Sequence, residues 1–346
     1  HIDFFTVCRR QKPSAGVYRI SRPCVLRQIH QAGLIHRTDN IGAQLNANMA
    51  WQLGRTTIGL DISRDNILST AYGLLMDESR WKSIRGSERK YDRRAGRTNT
   101  ALTLEHNIVT SRLSISAGVT AFRNTGLDNS IRLYPGLDIA YRPAEHWRLF
   151  ASCNKRLRLP TFTDLYVANA VQKGDANLRP EKNTMVKIGA QTTGNAADAS
   201  LSCFYSRGRD MIDWVYPDEA ATRYQAMNIG RLNNLGVDAD VVLHVDNVWK
   251  QGVLRNVRLS YSYIHQNHKT DQPIWKSLYA LEYLRHKLTA QADLHIWRKL
   301  SATWAFRWQQ RMNGYHPYAK IDCRIAWNDR RFTAWVKGDN LTAHRY

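Results

Sequence analysis

The feature that most restricts this chain is a two-residue alternation of apolar and polar side chains, sustained over whole segments and repeated many times. Over residues 284–296, Leu284, His286, Leu288, Ala290, Ala292, Leu294 and Ile296 alternate with Arg285, Lys287, Thr289, Gln291, Asp293 and His295. Successive side chains of an extended strand point to opposite faces, so the pattern makes one greasy face and one wet face. It recurs over residues 41–51, 113–121, 237–245, 257–263 and 321–327.

The connections carry a second pattern, in which short turns alternate with long loops. Residues 52–54, 109–111, 143–146, 194–197, 298–299 and 328–330 are short, whereas 66–96, 123–130, 155–182, 215–222 and 267–283 are long and rich in Gly, Asn, Asp, Pro, Arg and aromatics. A soluble sandwich has no reason to collect its long loops at one end. An outer-membrane barrel does, with short periplasmic turns, long outer loops and strands of roughly 10 residues that are apolar outside and polar inside. Closure also satisfies the backbone groups that lipid cannot. The predicted fold is therefore all-β, a transmembrane antiparallel barrel wall with about fourteen strands present.

Composition is consistent with that fold. The chain has 346 residues, 43% of them hydrophobic, and is not composed like a disordered protein. Apolar runs such as residues 71–76 fall far short of the roughly 18 residues a spanning helix needs. With 11 Trp and 16 Tyr against 8 Phe, amphipathic rings predominate, and Trp51, Tyr141, Trp147, Trp297, Trp327 and Trp335 fall at strand ends, where a barrel places its aromatic girdles. The formal charge of +21 raises nucleic acid as a partner, but the cations are spread over strands, turns and loops with no basic helix or aromatic platform, so no nucleic-acid partner is expected. An anionic lipid or lipopolysaccharide surface suits the same charge. Five cysteines, Cys8, Cys24, Cys153, Cys203 and Cys323, share no short C-x-x-C spacing, which argues against a disulfide framework and a zinc site. Residues 1–40 show no sustained alternation and are read as a loop-like leading segment with one strand at most, before a barrel domain over 41–346.

Within residues 149–181, Arg158, Pro160, Phe162, Asp164, Leu165 and Tyr166, followed by Asn177, Leu178, Pro180 and Glu181, resemble an Arg-x-Pro-x-aromatic-x-Asp-Leu-aromatic segment and an Asn-x-x-Leu-x-Pro-Glu-like segment of TonB-dependent outer-membrane receptors. Asn228, Ile229, Gly230, Gly236, Val237 and Asp238 are similar to a later strand of that family, although Glu is commoner than Asp238 there. Residues 284–288 and Asp339, Asn340, Leu341 and Tyr346 resemble late-barrel segments, and Leu68, Ser69 and Thr70 are most like the vitamin B12 and siderophore branch. The resemblance covers most of residues 41–346 and implies a barrel of about 22 strands around a plug. Against that pattern the chain is expected to lack the plug, the first strands and the final strand.

The resemblance implies energised uptake of a scarce metal chelate, siderophore-iron or cobalamin, across a Gram-negative outer membrane. The TonB complex would act through the plug. The motif residues are expected to be structural, with Glu181 or Asp164 facing the lumen and pairing with Arg156 or Arg158. For ligand capture the candidates are Trp81, Arg85, Tyr91, Arg93, Trp214, Tyr216, Trp275 and Tyr279, because a chelate offers flat apolar surface and negative charge. No catalytic motif, cofactor or metal site is expected; His265 and His268 lack a third ligand. The nearest rival, a passive porin or other barrel without energy coupling, has about 16 strands and no need of the Pro-aromatic-Asp-Leu segment.

Overall fold

The computed structural model describes residues 19–20, 24–30, 34–127, 129–278, 284–312 and 315–343. Its main element is an antiparallel meander in which each long strand pairs with the next. The strands are β1 (Cys24–His30), β2 (Leu34–Trp51), β3 (Gly54–Ser69), β4 (Arg93–Val109), β5 (Leu113–Asn124), β6 (Arg132–Tyr141), β7 (Trp147–Arg158) and β8 (Glu181–Thr192). They continue as β9 (Ala197–Arg209), β10 (Arg231–His244), β11 (Leu254–Lys269), β12 (Leu284–Trp297), β13 (Leu300–Arg311), β14 (Tyr318–Asn328) and β15 (Thr333–Gly338). Two-residue strands, Arg19–Ile20 and Leu74–Leu75, complete a sheet of 17. Among the described residues no ladder joins β15 to β1. No described helix is long and apolar enough to cross a membrane, which says nothing of strands.

The polarity of this sheet is inverted relative to a soluble protein. On β9, Ser202 and Ser206 are 6% and 7% exposed, while Leu201 and Tyr205 are 54% and 44% exposed. Register carries the apolar face across strands in rows: Leu45, Leu60, Leu102, Ala121 and Leu133 are successive partners from β2 to β6. Cys153, Val186, Tyr205 and Leu235 form another row from β7 to β10. An apolar face this continuous on a folded chain marks contact with something other than water. The inner face holds polar ladders, such as Asp238 accepting from Ser262 Oγ at 2.8 Å with Lys187 Nζ 3.6 Å away. Cys153 and Cys203 are exposed free thiols and Cys323 a half-buried one, packed as small apolar side chains on the outer rows.

From β2 onward, the connections 52–53, 110–112, 142–146, 193–196, 298–299 and 329–332 lie at one end, whereas the step from β1 to β2 lies at the other. The 298–299 turn places Arg298 at φ 37°, and Gly54 closes the 52–53 turn at φ 131°, where a Cβ would stand 2.2 Å from the Asn107 carbonyl oxygen. Trp51, Tyr141, Trp147, Trp297 and Trp327 flank these turns. Trp335 departs from the girdle pattern. It pairs with Ala326 and lies under Arg324, 5.2 Å from ring centroid to guanidinium, on the polar face. At the other end, Tyr261 and Tyr263 gather around His286, with centroids 4.9 Å apart for Tyr263 and His286, and supply rings that strand-end spacing did not reveal.

The leading segment corrects one expectation. β2 begins at Leu34, seven residues before the alternation starts, and β1 pairs with it from Cys24 opposite Asn40 to His30 opposite Leu34. β2 and β3 have 18 and 16 residues, more than the roughly 10 a membrane requires. Alternation is absent over residues 34–40, while the backbone ladder continues through Asp39–Asn66 and Arg37–Leu68. Residues 1–18 lie outside the described residues.

Candidate functional site

The long loops converge over the inner face of the sheet. After β7 ends at Arg158, Thr161 caps a five-residue helix, Phe162–Tyr166, in a reciprocal box with Asp164. Arg158 ion-pairs with Glu181 and lies 3.7 Å from the Asp164 carboxylate, so Arg158 rather than Arg156 takes both contacts. Glu181 also accepts the Ile212 N–H at 2.8 Å, which ties β8 to the next loop. From the far side, Arg97 on β4 donates to the Pro160 carbonyl at 2.6 Å and stacks 4.9 Å over the Phe162 ring. Leu165 packs against the same core, Leu178 and Pro180 are buried, and Asn177 is exposed. These motif side chains therefore bridge strands that are three apart in the meander.

Two further loops close on the same core. A four-stranded sheet forms from Gln172–Lys173, Tyr224–Asn228, Ile212–Tyr216 and Lys276–Ser277. Trp214 is 6% exposed and packs with Ile67, Tyr72, Ala95, Val167, Leu178 and Ala226. Burial pushes the Tyr72 phenol above its ordinary pKa. Asp213, fully buried, accepts from Ser277 Oγ and from the Trp214 N–H. Asn228 bonds the Arg179 backbone at both its N–H and carbonyl, each at 2.9 Å, and the Asp210 carbonyl at 2.7 Å. Gly236 faces Phe204, and Asn340, at φ 56°, turns the chain after β15 toward the exposed Leu341.

The structure separates the ligand candidates. Tyr91 is buried with Leu68 and Ile84, and Trp214 is buried as described, so both hold loops together rather than face an incoming molecule. Trp81 is half-buried, its indole donating to the Met76 carbonyl, and Arg93 donates to the Gly73 carbonyl at 3.4 Å. Arg85 is exposed, and Tyr279 lies outside the described residues. Tyr216 and Trp275 meet edge to face, 6.1 Å between centroids, and Tyr224, which sequence reading missed, lies against Tyr216 at 4.2 Å with the rings tilted by 41°. Pairing of Tyr216 with Lys276 adds an exposed cation beside this ring trio. A cluster of aromatic rings edged by positive charge can contact the apolar surface and the negative charge of an anionic chelate. His265 and His268 fall on opposite faces of β11, opposite Leu235 and Leu232, so they cannot share an ion. Among the described residues no cluster of three His, Cys, Asp or Glu could hold a metal.

Residues 13–341 match a family model described as TonB dependent receptor-like, beta-barrel. Similar solved structures include a ferric enterobactin receptor, PfeA, from Pseudomonas aeruginosa, at 15% identity and TM-score 0.65, covering 89% of this chain and 49% of that one. The siderophore receptor PirA from the same organism has 14% identity, TM-score 0.67 and coverages of 93% and 55%. The FrpB iron transporter from Neisseria meningitidis has 15% identity, TM-score 0.65 and coverages of 89% and 52%. The chain thus spans about half the length of these structures. No curated protein matches it by sequence.

Proposed function

From the premise that this chain belongs to the TonB-dependent receptor β-barrel family, we propose that it forms the barrel wall of a Gram-negative outer-membrane receptor that takes up a ferric siderophore. The observation that carries the membrane part is the inverted polarity of β9, with buried serines between exposed Leu201 and Tyr205. The ligand class is supported by the ring trio of half-buried Tyr216 and Tyr224 with exposed Trp275, beside exposed Lys276, and by iron-siderophore receptors among the similar structures. Uptake would draw energy from a TonB complex acting on a plug inside this wall. The chain's own loops supply capture.

The test is calorimetry of the detergent-solubilised chain with ferric enterobactin and, separately, with cyanocobalamin. Ferric enterobactin is expected to bind, with Trp275→Ala weakening it several-fold, on the basis of about 0.5–1.5 kcal/mol for a lost aromatic contact. Binding of cyanocobalamin alone would move the ligand class to corrinoids, and indifference of both ligands to Trp275→Ala would remove the ring trio from the site.

A further inference from the structure

At the short-turn end, three consecutive connections are stitched together by their backbones. The Arg142 N–H donates to the Arg112 carbonyl at 2.7 Å, joining 142–146 to 110–112, and the Thr193 N–H donates to the His146 carbonyl at 3.0 Å, joining 193–196 to 142–146. Between them lies a cleft of about 600 Å³. Among the described residues its lining sets Arg112, Arg142, Arg148 and His146 against one carboxylate, Glu145. Three guanidiniums held around one space repel each other and favour an anion placed among them.

The cleft belongs to the inward side of the wall. Leu149 and Ala190 lie in the outward row that runs from Tyr141 to Leu201. Arg148 and Gln191, the cross-strand partners beside them, therefore point inward. Arg148 is also held in place. Its guanidinium lies over the Phe150 ring, 5.4 Å from the centroid. Phe150 in turn lies against the backbone of its partner Gly189, where a Cβ would stand 2.6 Å from the ring. A guanidinium stacked on a ring presents its N–H fork in one plane, the form that grips paired anionic oxygens. The cleft's volume falls within the roughly 300–1,000 Å³ of pockets that hold drug-sized molecules, far more room than a phosphate ion fills.

Resting on the receptor reading above, we infer that this cleft is a second binding site for the anionic chelate, at the mouth through which cargo leaves the barrel. The long loops capture at one end of the wall, and Arg112, Arg142 and Arg148 receive the same negative charge at the other. Trp147 borders the cleft and is 49% exposed, so its indole reports locally on an occupant.

The experiment titrates the detergent-solubilised chain with gallium(III) enterobactin, a diamagnetic substitute for the ferric form, and follows the indole N–H resonances of Trp147 and Trp275 by NMR. Both are expected to move in the wild type. Arg112→Gln, Arg142→Gln and Arg148→Gln combined should weaken the Trp147 response about tenfold or more, at up to a factor of about five for each exposed cation facing an anion. The Trp275 response should stay, which also reports that the variant is folded. Phe150→Leu keeps all three charges but removes the ring under Arg148, and should weaken the Trp147 response roughly two- to fivefold, the worth of an exposed cation–π contact. A control set at the same end but outside the cleft, Arg55→Gln, Arg298→Gln and Arg330→Gln, should bind as the wild type does. An unmoved Trp147 beside a moving Trp275, equal loss in the control set, or equally tight binding of inorganic phosphate would overturn this inference and leave the capture reading standing. A silent Trp275 beside a responding Trp147 would remove the ring trio and keep the cleft, and silence of both would sink the two readings together.

Discussion

Gly236 offers a sharp test of the inner-face packing. A Cβ built there stands 2.3 and 2.5 Å from two ring carbons of Phe204, its partner on β9, and 2.9 Å from the Tyr263 carbonyl oxygen of β11. Carbon atoms in contact sit about 3.5–4.0 Å apart, so in Gly236→Ala the ring must retreat by more than about 1 Å. Driving a side chain about 30° off its rotamer costs about 0.5–1.5 kcal/mol, and overpacking a filled site costs typically 1–3 kcal/mol. Against this, alanine restricts the unfolded chain and returns about 0.4–1 kcal/mol. The net expectation is destabilisation of about 1–2 kcal/mol. In a Phe204→Leu background the ring carbons that clash are gone and only the carbonyl contact remains, so the same substitution should cost at least about 1 kcal/mol less. Urea unfolding in lipid vesicles, followed by tryptophan fluorescence, gives the double-mutant cycle. Strict additivity of the two substitutions would refute the argument that Phe204 is why this position is glycine.

Other consequences follow from the loop core. Trp214→Ala should loosen the loop sheet by about 3–5 kcal/mol, the range for a buried aromatic, and expose residues 210–230 to protease, whereas Tyr216→Ala should cost about 1 kcal/mol; equal protease sensitivity in both would contradict the burial difference. Glu181→Gln keeps an acceptor for the Ile212 N–H but removes the charge facing half-exposed Arg158, which should weaken that link by about 1–3 kcal/mol. Hydrogen exchange at the Ile212 amide reads this, and an unchanged rate there would exclude it. At the opposite end, the hydrogen bond from Lys299, followed by that from the Arg330 N–H, holds the Asp329 carboxyl below its ordinary pKa. A lowered folded-state pKa means the link is present above the ordinary Asp value and is lost as pH falls through the folded one. Lys299→Ala should return the titration upward by NMR, and an unmoved titration would remove Lys299 as the cause.

Much of the wall was legible because strand alternation is a local property. Residues 284–296 announce two faces without reference to any neighbour, and β12 (Leu284–Trp297) follows them within a residue. Turn lengths and the Arg158–Glu181 segment were readable for the same reason, since spacing along the chain survives folding. Over residues 34–40 hydrophobicity ceased to mark the strand, although hydrogen bonding continued. Side-chain identity in the loops carried less. Trp214 and Trp275 look alike in sequence, yet one is 6% and the other 58% exposed, because burial is set by Ile67, Tyr72 and Ala95 more than a hundred residues away. Trp335 changed faces through the register after the 329–332 turn, and Arg112, Arg142 and Arg148 came to line one cleft only through the ladders of β5 to β8. Sequence determined most of the long strands from residue 41 onward and which face of them is apolar, since backbone geometry alone imposes a period of two. Tertiary structure decided which distant side chains meet, because register and loop packing depend on contacts between residues that local spacing does not relate.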